Sequence, residues 1–211
     1  MKANPLLIIL GAGYLGGHLG MEAIKLGWRV MGLTRNGSRA DQLRKMGFEE
    51  VVVEELDSTV WWSAFKAVPD YVVNCVSSAG GGLEGYRKSY VQGNQSILNW
   101  VRQHERSESF KATTFLYTGS TGVYSDAGGQ WLTENDLEEE AHTERAAILQ
   151  EAERVIMEGG NDCFRRWFIL RLAGLYGPGR SFLVSQLLKG EGRVRGEKSH
   201  YLNLLRVEDA V

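Results

Sequence analysis

A glycine-rich turn near the amino terminus constrains the fold of this chain more than any other feature. The motif GAGYLG occupies residues 11–16, between an apolar run and a stretch with helical periodicity. In a strand–turn–helix unit, Gly11 permits the tight turn, Gly13 lets the backbone approach a diphosphate, and Gly16 lets the helix pack on the strand. The N–H groups that begin the helix, at the positive end of its dipole, then face the phosphates. The predicted cofactor-binding residues of this turn are Gly11, Gly13, Tyr14, Leu15 and Gly16.

Apolar runs with strand character recur along the chain and alternate with helical segments. The runs are residues 6–10, 29–33, 51–53, 71–76, 113–118 and 167–172. Most are continuous rather than alternating, which is typical of parallel strands covered on both faces. Helical periodicity marks residues 90–101 and 146–156. The alternation predicts a doubly wound parallel sheet in a three-layer α/β/α arrangement, with ligands bound at the carboxyl ends of the strands.

Composition narrows the class of protein and of partner. The 211 residues allow one well-buried α/β domain, and the formal charge of −2 argues against a nucleic-acid or anionic-membrane partner. No apolar stretch approaches the ~20 residues of a membrane span, and the strand that follows the first five residues leaves no room for a signal peptide. The two cysteines, Cys75 and Cys163, are far apart, which fits a reducing cytoplasm. No spacing of His, Cys and carboxylates predicts a metal site.

The end of the second predicted strand favours one nicotinamide cofactor over the other. Sites that prefer NAD place a carboxylate there to bind the ribose 2′-hydroxyl. This strand ends in Thr34-Arg35-Asn36 and has no acid. The Arg35 guanidinium suits a 2′-phosphate, with Thr34 and Asn36 as further donors, so we expect NADP(H) to be preferred over NAD(H). The alternative is that Arg35 is an exposed residue opening a loop.

The ends of the third and fourth predicted strands supply the remaining cofactor contacts. Asp57 follows the third strand, where its carboxylate would accept a hydrogen bond from the adenine amino group. Val76 and Ser77 follow the fourth strand, beside the expected middle of the cofactor. Any doubly wound sheet needs residues at these positions, so their spacing alone does not establish binding.

Four motifs together resemble one known family. They are GAGYLGG at 11–17, YTGSTGVY at 117–124, RLAGLYGPGR at 171–180 and YLNLLRVEDAV at 201–211. On these motifs the chain resembles the extended short-chain dehydrogenase/reductase superfamily, in its NAD(P)-dependent epimerase/dehydratase branch. The resemblance implies a Rossmann domain over residues 1–176 and an incomplete substrate-side segment over residues 177–211. Members of the branch usually continue beyond the VEDAV-like string, so we expect a truncated chain.

The resemblance also implies catalytic positions, and this chain departs from most of them. The superfamily uses a Tyr as general acid/base, a Lys four residues later that lowers the pKa of the Tyr, and a Ser that orients the substrate oxygen. Ser120 matches the Ser position. The Tyr position falls on Arg145 and the Lys position on Leu149, while an Asn common early in the fourth helix is replaced by Tyr90.

Two hypotheses about function follow from these departures. In the first, the chain is an oxidoreductase or epimerase acting on a nucleotide-sugar-like or small carbonyl substrate. Its catalytic candidates are Ser120 and Thr121 as orienting groups and either Tyr124 or Tyr176 as acid/base. Arg145 would act as an electrophile at a developing oxyanion. In the second, the chain binds NADP(H) without turnover, as a regulatory or scaffold protein.

Two further expectations concern partners. Trp61-Trp62 would offer an interaction surface in a third reading, a protein-interaction platform, although core packing is the commoner fate of adjacent aromatics. The apolar stripes of residues 90–101 and 146–156 permit a homodimer of the kind usual in the superfamily. Packing of the same stripes on the sheet explains them equally well.

Overall fold

The computed structural model describes residues 4–78, 80–103, 110, 113–190 and 201–211. Six parallel strands form one sheet in the order β3-β2-β1-β4-β5-β6. The strands are β1 (Leu6–Leu10), β2 (Arg29–Thr34), β3 (Glu50–Val53), β4 (Tyr71–Asn74), β5 (Thr114–Ser120) and β6 (Arg166–Leu172). This order is that of a doubly wound Rossmann fold, so the predicted fold class is confirmed.

Helices cover the sheet on both faces. They are α1 (Tyr14–Lys25), α2 (Gly37–Lys45), α3 (Gly82–Tyr86), α4 (Gly93–Gln103), α5 (Glu144–Cys163) and α6 (Phe182–Leu188). A π-helical segment, Arg87–Gln92, joins α3 to α4. Short 3₁₀ turns occupy Val60–Ser63, Thr121–Val123 and Val207–Asp209. Thr143 caps α5, since its hydroxyl accepts the N–H of Ala146 at 3.1 Å, and so sets where this long helix begins.

Alternation of side chains along the strands divides the core into two layers. Ile8 and Leu10 of β1 pack toward α4 and α5, where an aromatic cluster fills the space. Leu7 and Ile9 pack toward α1 and α2 on the other face. All five residues of β1 are therefore buried, which explains its uninterrupted apolar sequence. The aromatic cluster consists of Trp61, Phe65, Trp100 and Phe110.

The predicted strands agree with the observed ones to within two residues at each end. The observed helical segments extend beyond the apolar stripes predicted from the sequence. Helix α5 continues to Cys163, and residues 87–92 form a π-helix that precedes α4. The stripes themselves are buried inside the chain: Ile97 and Ile156 are fully buried in the sheet-facing core. Core packing accounts for the stripes, and the homodimer stays a prediction.

A buried amide network joins the fourth strand to the helices above it. The Asn94 side chain accepts a hydrogen bond from the Asn74 amide at 2.8 Å and donates to the Ala152 carbonyl oxygen at 2.9 Å. The Asn74 oxygen in turn accepts the N–H of Val76 at 3.0 Å. The network thus ties β4, α4 and α5 together and fixes the loop that follows β4.

A smaller element follows the main sheet. Strand β7 (Gly174–Tyr176) pairs in parallel with β8 (Leu204–Arg206) in a separate two-stranded sheet. This pairing crosses the position after residue 176 at which the sequence suggested a boundary. After β8, the 3₁₀ turn Val207–Asp209 has Val207 fully buried. None of the helices in the described residues is both long and apolar enough to cross a membrane.

We expect Asn94→Ala to lower the free energy of unfolding by about 3 kcal/mol, because it leaves an amide and a carbonyl without partners in the core. Denaturant unfolding followed by circular dichroism measures the change. Asn99→Ala is a matched control, since Asn99 lies on the exposed side of the same helix and should change stability little. Equal effects of the two substitutions would contradict a stabilising role for the network.

Candidate functional site

A cleft of about 910 Å³ lies over the carboxyl ends of the strands. The loops that follow β1, β2, β3, β4 and β6, and the last residues of β5, contribute to its walls. The predicted site residues that line it are Gly11, Gly13, Tyr14, Leu15, Thr34, Arg35, Asn36, Asp57, Val76, Ser77 and Ser120. The structure therefore brings most of the predicted cofactor-binding residues and one predicted catalytic residue to one place.

The glycines of the first turn are required by close contacts. Gly11 has φ of +84°, and a Cβ on it would lie 2.6 Å from the backbone nitrogen of Val76. A Cβ on Gly16 would lie 2.7 Å from the Gly11 carbonyl oxygen and 2.7 Å from Ile9. Nothing lies within 4 Å of the Cβ position of Gly13, so its backbone is open to the cleft. Two glycines thus allow tight packing and the third allows the approach of a ligand.

The amino end of α1 points its free N–H groups at this opening. Gly13 is the N-cap residue and has no side chain to bond them. The first N–H groups of a helix have no partner within the helix, so those of Tyr14, Leu15 and Gly16 are available to a ligand. With the positive end of the helix dipole they suit an anion. The turn therefore fits the diphosphate of a dinucleotide.

Arg35, with its neighbours Thr34 and Asn36, lies at the end of the cleft that is predicted to hold the ribose. The Arg35 side chain is 41% exposed, and its guanidinium lies 4.0 Å from the Glu55 carboxylate. Thr34 is buried, and its hydroxyl oxygen lies 3.4 Å from the Asn36 N–H. The Asn36 side-chain oxygen caps α2 by accepting the N–H of Arg39 at 3.0 Å. Of Thr34, Arg35 and Asn36, only Arg35 carries a charge, and its side chain lines the cleft.

A second arginine at this end of the cleft was not identified from the sequence. The guanidinium of Arg39 donates to the carbonyl oxygens of Ala12 at 3.3 Å and Gly13 at 2.9 Å. A Cβ on Gly17 would overlap it, so that glycine makes room for the guanidinium. Partial burial lowers the pKa of Arg39. Arg39 follows Arg35 by four residues, so the sequence does indicate a second cation near the first. Its contact with the glycine-rich turn depends on tertiary structure.

The adenine side and the middle of the cleft are formed by the loops after β3 and β4. The carboxylate of Asp57 lies 3.8 Å from the Lys88 ammonium group, which also lines the cleft. Val76 contacts Gly11 through its backbone, and Ser77 lines the cleft beside it. The Asp57 carboxylate thus has a partly exposed lysine of the same cleft as its ionic partner.

Ser120 occupies the carboxyl end of β5 and faces the cleft. Its hydroxyl oxygen accepts the N–H of Gly122 at 3.0 Å and caps the 3₁₀ turn that follows. A hydroxyl group that accepts one hydrogen bond keeps its own proton to donate. Ser120 can therefore hold the backbone and still bond a substrate oxygen.

Tyr124 belongs to a buried ionic cluster and does not line the cleft. Its hydroxyl oxygen accepts a hydrogen bond from the Arg171 guanidinium at 2.5 Å. Arg171 also forms two hydrogen bonds, 2.9 and 2.8 Å long, to the Glu153 carboxylate. Glu153 is 3% exposed, and its hydrogen bond and charge raise the pKa of Arg171. The cluster joins β6, α5 and the segment after β5, so the Tyr124 hydroxyl has a structural partner.

Glu153→Gln should lower the free energy of unfolding by about 3 kcal/mol, because it leaves the Arg171 charge buried without a counter-ion. Thermal or denaturant unfolding measures the effect. Glu151→Gln removes a carboxylate from the same helix that pairs with Arg87 at 2.7 Å in a solvent-exposed position, and should cost far less. A larger loss for Glu151→Gln would contradict the buried cluster as the stabilising one.

The other predicted catalytic residues lie away from the cleft. Arg145 is exposed, and its guanidinium lies 5.2 Å from the centroid of the Tyr86 ring. Leu149, at the position of the family lysine, is buried. Tyr176 is 41% exposed on β7. Neither Arg145 nor Tyr176 lines the cleft, so the structure does not bring them together with Ser120.

A different tyrosine does line the cleft. The π-helical segment turns Lys88, Ser89 and Tyr90 toward it in succession. The Tyr90 hydroxyl oxygen accepts the N–H of Ser78 at 3.1 Å, which leaves its proton free to be donated. Burial raises the pKa of Tyr90, and the bond from Ser78 partly offsets this. From the sequence, Tyr90 was identified only as the residue that replaces the Asn common in the family. Its position in the cleft was not predicted, because nothing in the sequence predicts a π-helix there.

Two further residues have structural explanations. Trp61 is fully buried, and the Trp62 indole donates to the Ser96 hydroxyl at 3.1 Å, so this pair of aromatics belongs to the core. Cys75 lines the cleft, but burial raises the pKa of its thiol to about 12, which leaves it protonated at neutral pH.

The sheet order and the glycine turn at its switch point place the chain among the Rossmann-type α/β proteins. A profile of the family described as NAD dependent epimerase/dehydratase matches residues 7–194. The chain therefore belongs to the NAD dependent epimerase/dehydratase family, which confirms the resemblance drawn from its motifs.

Similar proteins of this kind span more residues than the chain does. Protein YeeZ of Escherichia coli K12 is 26% identical over 207 residues, which cover 96% of this chain and 69% of YeeZ. A structure of UDP-glucuronic acid 4-epimerase from Bacillus cereus with UDP-glucuronic acid and NAD superposes with a TM-score of 0.77 at 16% identity, covering 97% of this chain and 70% of that one. A functionally unknown conserved protein from Silicibacter pomeroyi DSS gives 0.66 at 24% identity, covering 98% of this chain and 65% of that one.

Proposed function

We propose that this protein binds NADP(H) and acts as an oxidoreductase or epimerase on a nucleotide-sugar-like or small carbonyl substrate. The observation that carries the cofactor preference is the guanidinium of Arg35 at the end of β2, where NAD sites place a carboxylate. The Arg39 guanidinium, bound to the glycine turn, adds a second positive charge to the same end of the cleft.

Arg35 is available to a phosphate despite its acidic neighbour. Its contact with Glu55 is long, at 4.0 Å, and the two side chains are 41% and 58% exposed. Exposed pairs of this kind contribute little, because water screens the attraction. A 2′-phosphate would offer Arg35 a bidentate, charge-assisted partner instead.

Titration with NADPH and NADH, followed by nicotinamide fluorescence, tests the preference. We expect Arg35→Ala to weaken NADPH binding about tenfold, or ~1.4 kcal/mol, and to leave NADH binding unchanged. Lys45→Ala removes an exposed cation from α2 outside the cleft and serves as the matched control for net charge. Equal weakening of NADPH and NADH by Arg35→Ala would overturn the NADP(H) preference.

The catalytic proposal rests on hydroxyl groups that line the cleft. A bound nicotinamide would supply the hydride acceptor or donor. Ser120 would orient the substrate oxygen with the proton that its bond to Gly122 leaves free. Tyr90 would deliver a proton to that oxygen during reduction, since the hydrogen bond that it accepts from Ser78 leaves its hydroxyl proton free. Of the catalytic residues proposed from the sequence, Ser120 fits this role, while Tyr124 and Arg145 lie outside the cleft walls.

The substrate class is inferred from structural relatives and from the cleft wall. Structures of similar fold hold UDP-glucuronic acid with NAD. In this chain, Pro178, Gly179 and Arg180 line the same cleft as Arg35 and Asn36, the two residues between β2 and α2. We propose that the segment of residues 177–211 forms part of the substrate side.

NADPH oxidation with a panel of nucleotide sugars and small carbonyl compounds tests turnover. For a substrate that reacts, Ser120→Ala and Tyr90→Phe should each lower kcat about 100-fold, the scale of losing one positioned proton-transfer group. Tyr124→Phe should affect kcat much less, because its hydroxyl is bonded to Arg171. Full activity of Tyr90→Phe would overturn its role as proton donor.

A non-catalytic NADP(H)-binding protein is the alternative function. It is favoured by the exposed Arg145 and the buried Leu149 at the positions of the family Tyr and Lys. The two functions differ in one result: a regulatory or scaffold protein would bind NADPH tightly and oxidise it with no member of the panel.

A further inference from the structure

A tight turn at the mouth of the cleft presents an arginine on a rigid backbone. The Gly177 N–H donates to the Arg180 carbonyl oxygen at 2.9 Å, and the Arg180 N–H donates to the Gly177 oxygen at 3.0 Å. Between them, Pro178 has a restricted φ and Gly179 has φ of +71°, the pairing that a type II turn requires. Four residues with two reciprocal hydrogen bonds hold the position of Arg180 in the cleft wall.

The turn rests directly on the first residue of α1. A Cβ on Gly177 would lie 2.8 Å from the Tyr14 hydroxyl oxygen, so the turn approaches Tyr14 more closely than a side chain would allow. The Arg180 guanidinium lies 5.2 Å from the centroid of the Tyr14 ring, within cation–π distance. The stacking orients the guanidinium beside the residue that begins the helix with the free N–H groups.

The charge of Arg180 has no counter-ion in the part of the chain that the structure describes. No carboxylate there lies within 4.0 Å of its guanidinium. The nearest acidic residue to the turn is Glu208, whose carboxylate lies 3.3 Å from the Cβ position of Gly177. That carboxylate is held by Arg206 through bonds of 3.0 and 3.1 Å. Arg180 is thus an oriented cation with no anionic partner among the described residues, facing the same cleft as the amino end of α1.

We infer that Arg180 binds the diphosphate of a nucleotide held in the cleft, beside the N–H groups of α1. This inference rests on the proposed function, since it needs a nucleotide in the cleft. A planar guanidinium offers two parallel N–H donors to phosphate oxygens, which complements the single donors of the helix. Both NADP(H) and a nucleoside-diphosphate substrate carry this group, and the diphosphate is the chemistry they share.

Binding of four probes separates the possible sources. The wild-type protein, Arg180→Ala and Arg180→Lys are titrated with NADPH, NADH, UDP and adenosine 2′-monophosphate. We expect Arg180→Ala to weaken NADPH and NADH equally, about tenfold, and to leave adenosine 2′-monophosphate unchanged because it has no diphosphate. Arg35→Ala should give a different pattern, because it weakens only the probes with a 2′-phosphate, which are NADPH and adenosine 2′-monophosphate. Weakening of UDP instead of the dinucleotides would support the inference with the substrate as the source.

Three controls make the result interpretable. Arg166→Ala removes an exposed arginine at the amino end of β6, outside the cleft walls, and should not alter binding. Tyr14→Leu removes the ring on which the guanidinium stacks and should weaken binding several-fold. Unchanged thermal unfolding of Arg180→Ala shows that the fold is intact.

Two outcomes would overturn the inference in distinguishable ways. If the wild-type protein binds the dinucleotides and Arg180→Ala binds each of the four probes as tightly as the wild type does, Arg180 does not contact the diphosphate. The proposed function then stands. If the wild-type protein binds none of the probes, the proposed function fails and this inference fails with it.

Discussion

The contact between Gly11 and the backbone of Val76 is the constraint on which the site depends. β1 and β4 are neighbours in the sheet, yet the chain leaves them toward opposite faces, and the cleft opens where they diverge. The 2.6 Å distance from the Cβ position of Gly11 to the Val76 nitrogen shows how tightly the two loops meet there. A side chain at Gly11 would force the loops apart and move the start of α1 away from the loops after β4.

The charges of the cleft are distributed to suit a long anionic ligand. Arg35 and Arg39 lie at the end formed by β2 and α2, and Arg180 lines the same cleft, stacked on Tyr14 beside the free N–H groups of α1. The carboxylates at the same edge, those of Glu55 and Asp57, pair with the exposed cations of Arg35 and Lys88 at long distances of 4.0 and 3.8 Å. Such exposed pairs are weak, so an anion can compete for the cations.

In this chain the face of α5 that carries the catalytic pair of the superfamily has a different composition. The face of α5 that carries Tyr and Lys in the superfamily here presents Arg145 to solvent and Leu149 to the core. One turn further along, Glu153 anchors the helix to β6 through Arg171, and Tyr124 is bonded into the same cluster. The hydroxyl groups that reach the cleft, Ser120 and Tyr90, come instead from β5 and from the π-helical segment.

The sequence by itself determined the sheet, the glycine turn and the arginine at the end of β2. These are local: continuous apolar runs, glycines at fixed spacing and the residue that follows a strand depend on near neighbours along the chain. Only the tertiary structure decided that Arg39 binds the turn, that Tyr90 faces the cleft while Tyr124 faces Arg171, and that Arg180 stacks on Tyr14. Each of these joins residues at least 26 positions apart, or follows from the π-helix that rotates Tyr90. Periodicity carries no information on such contacts, because they depend on how helices and loops pack on the sheet.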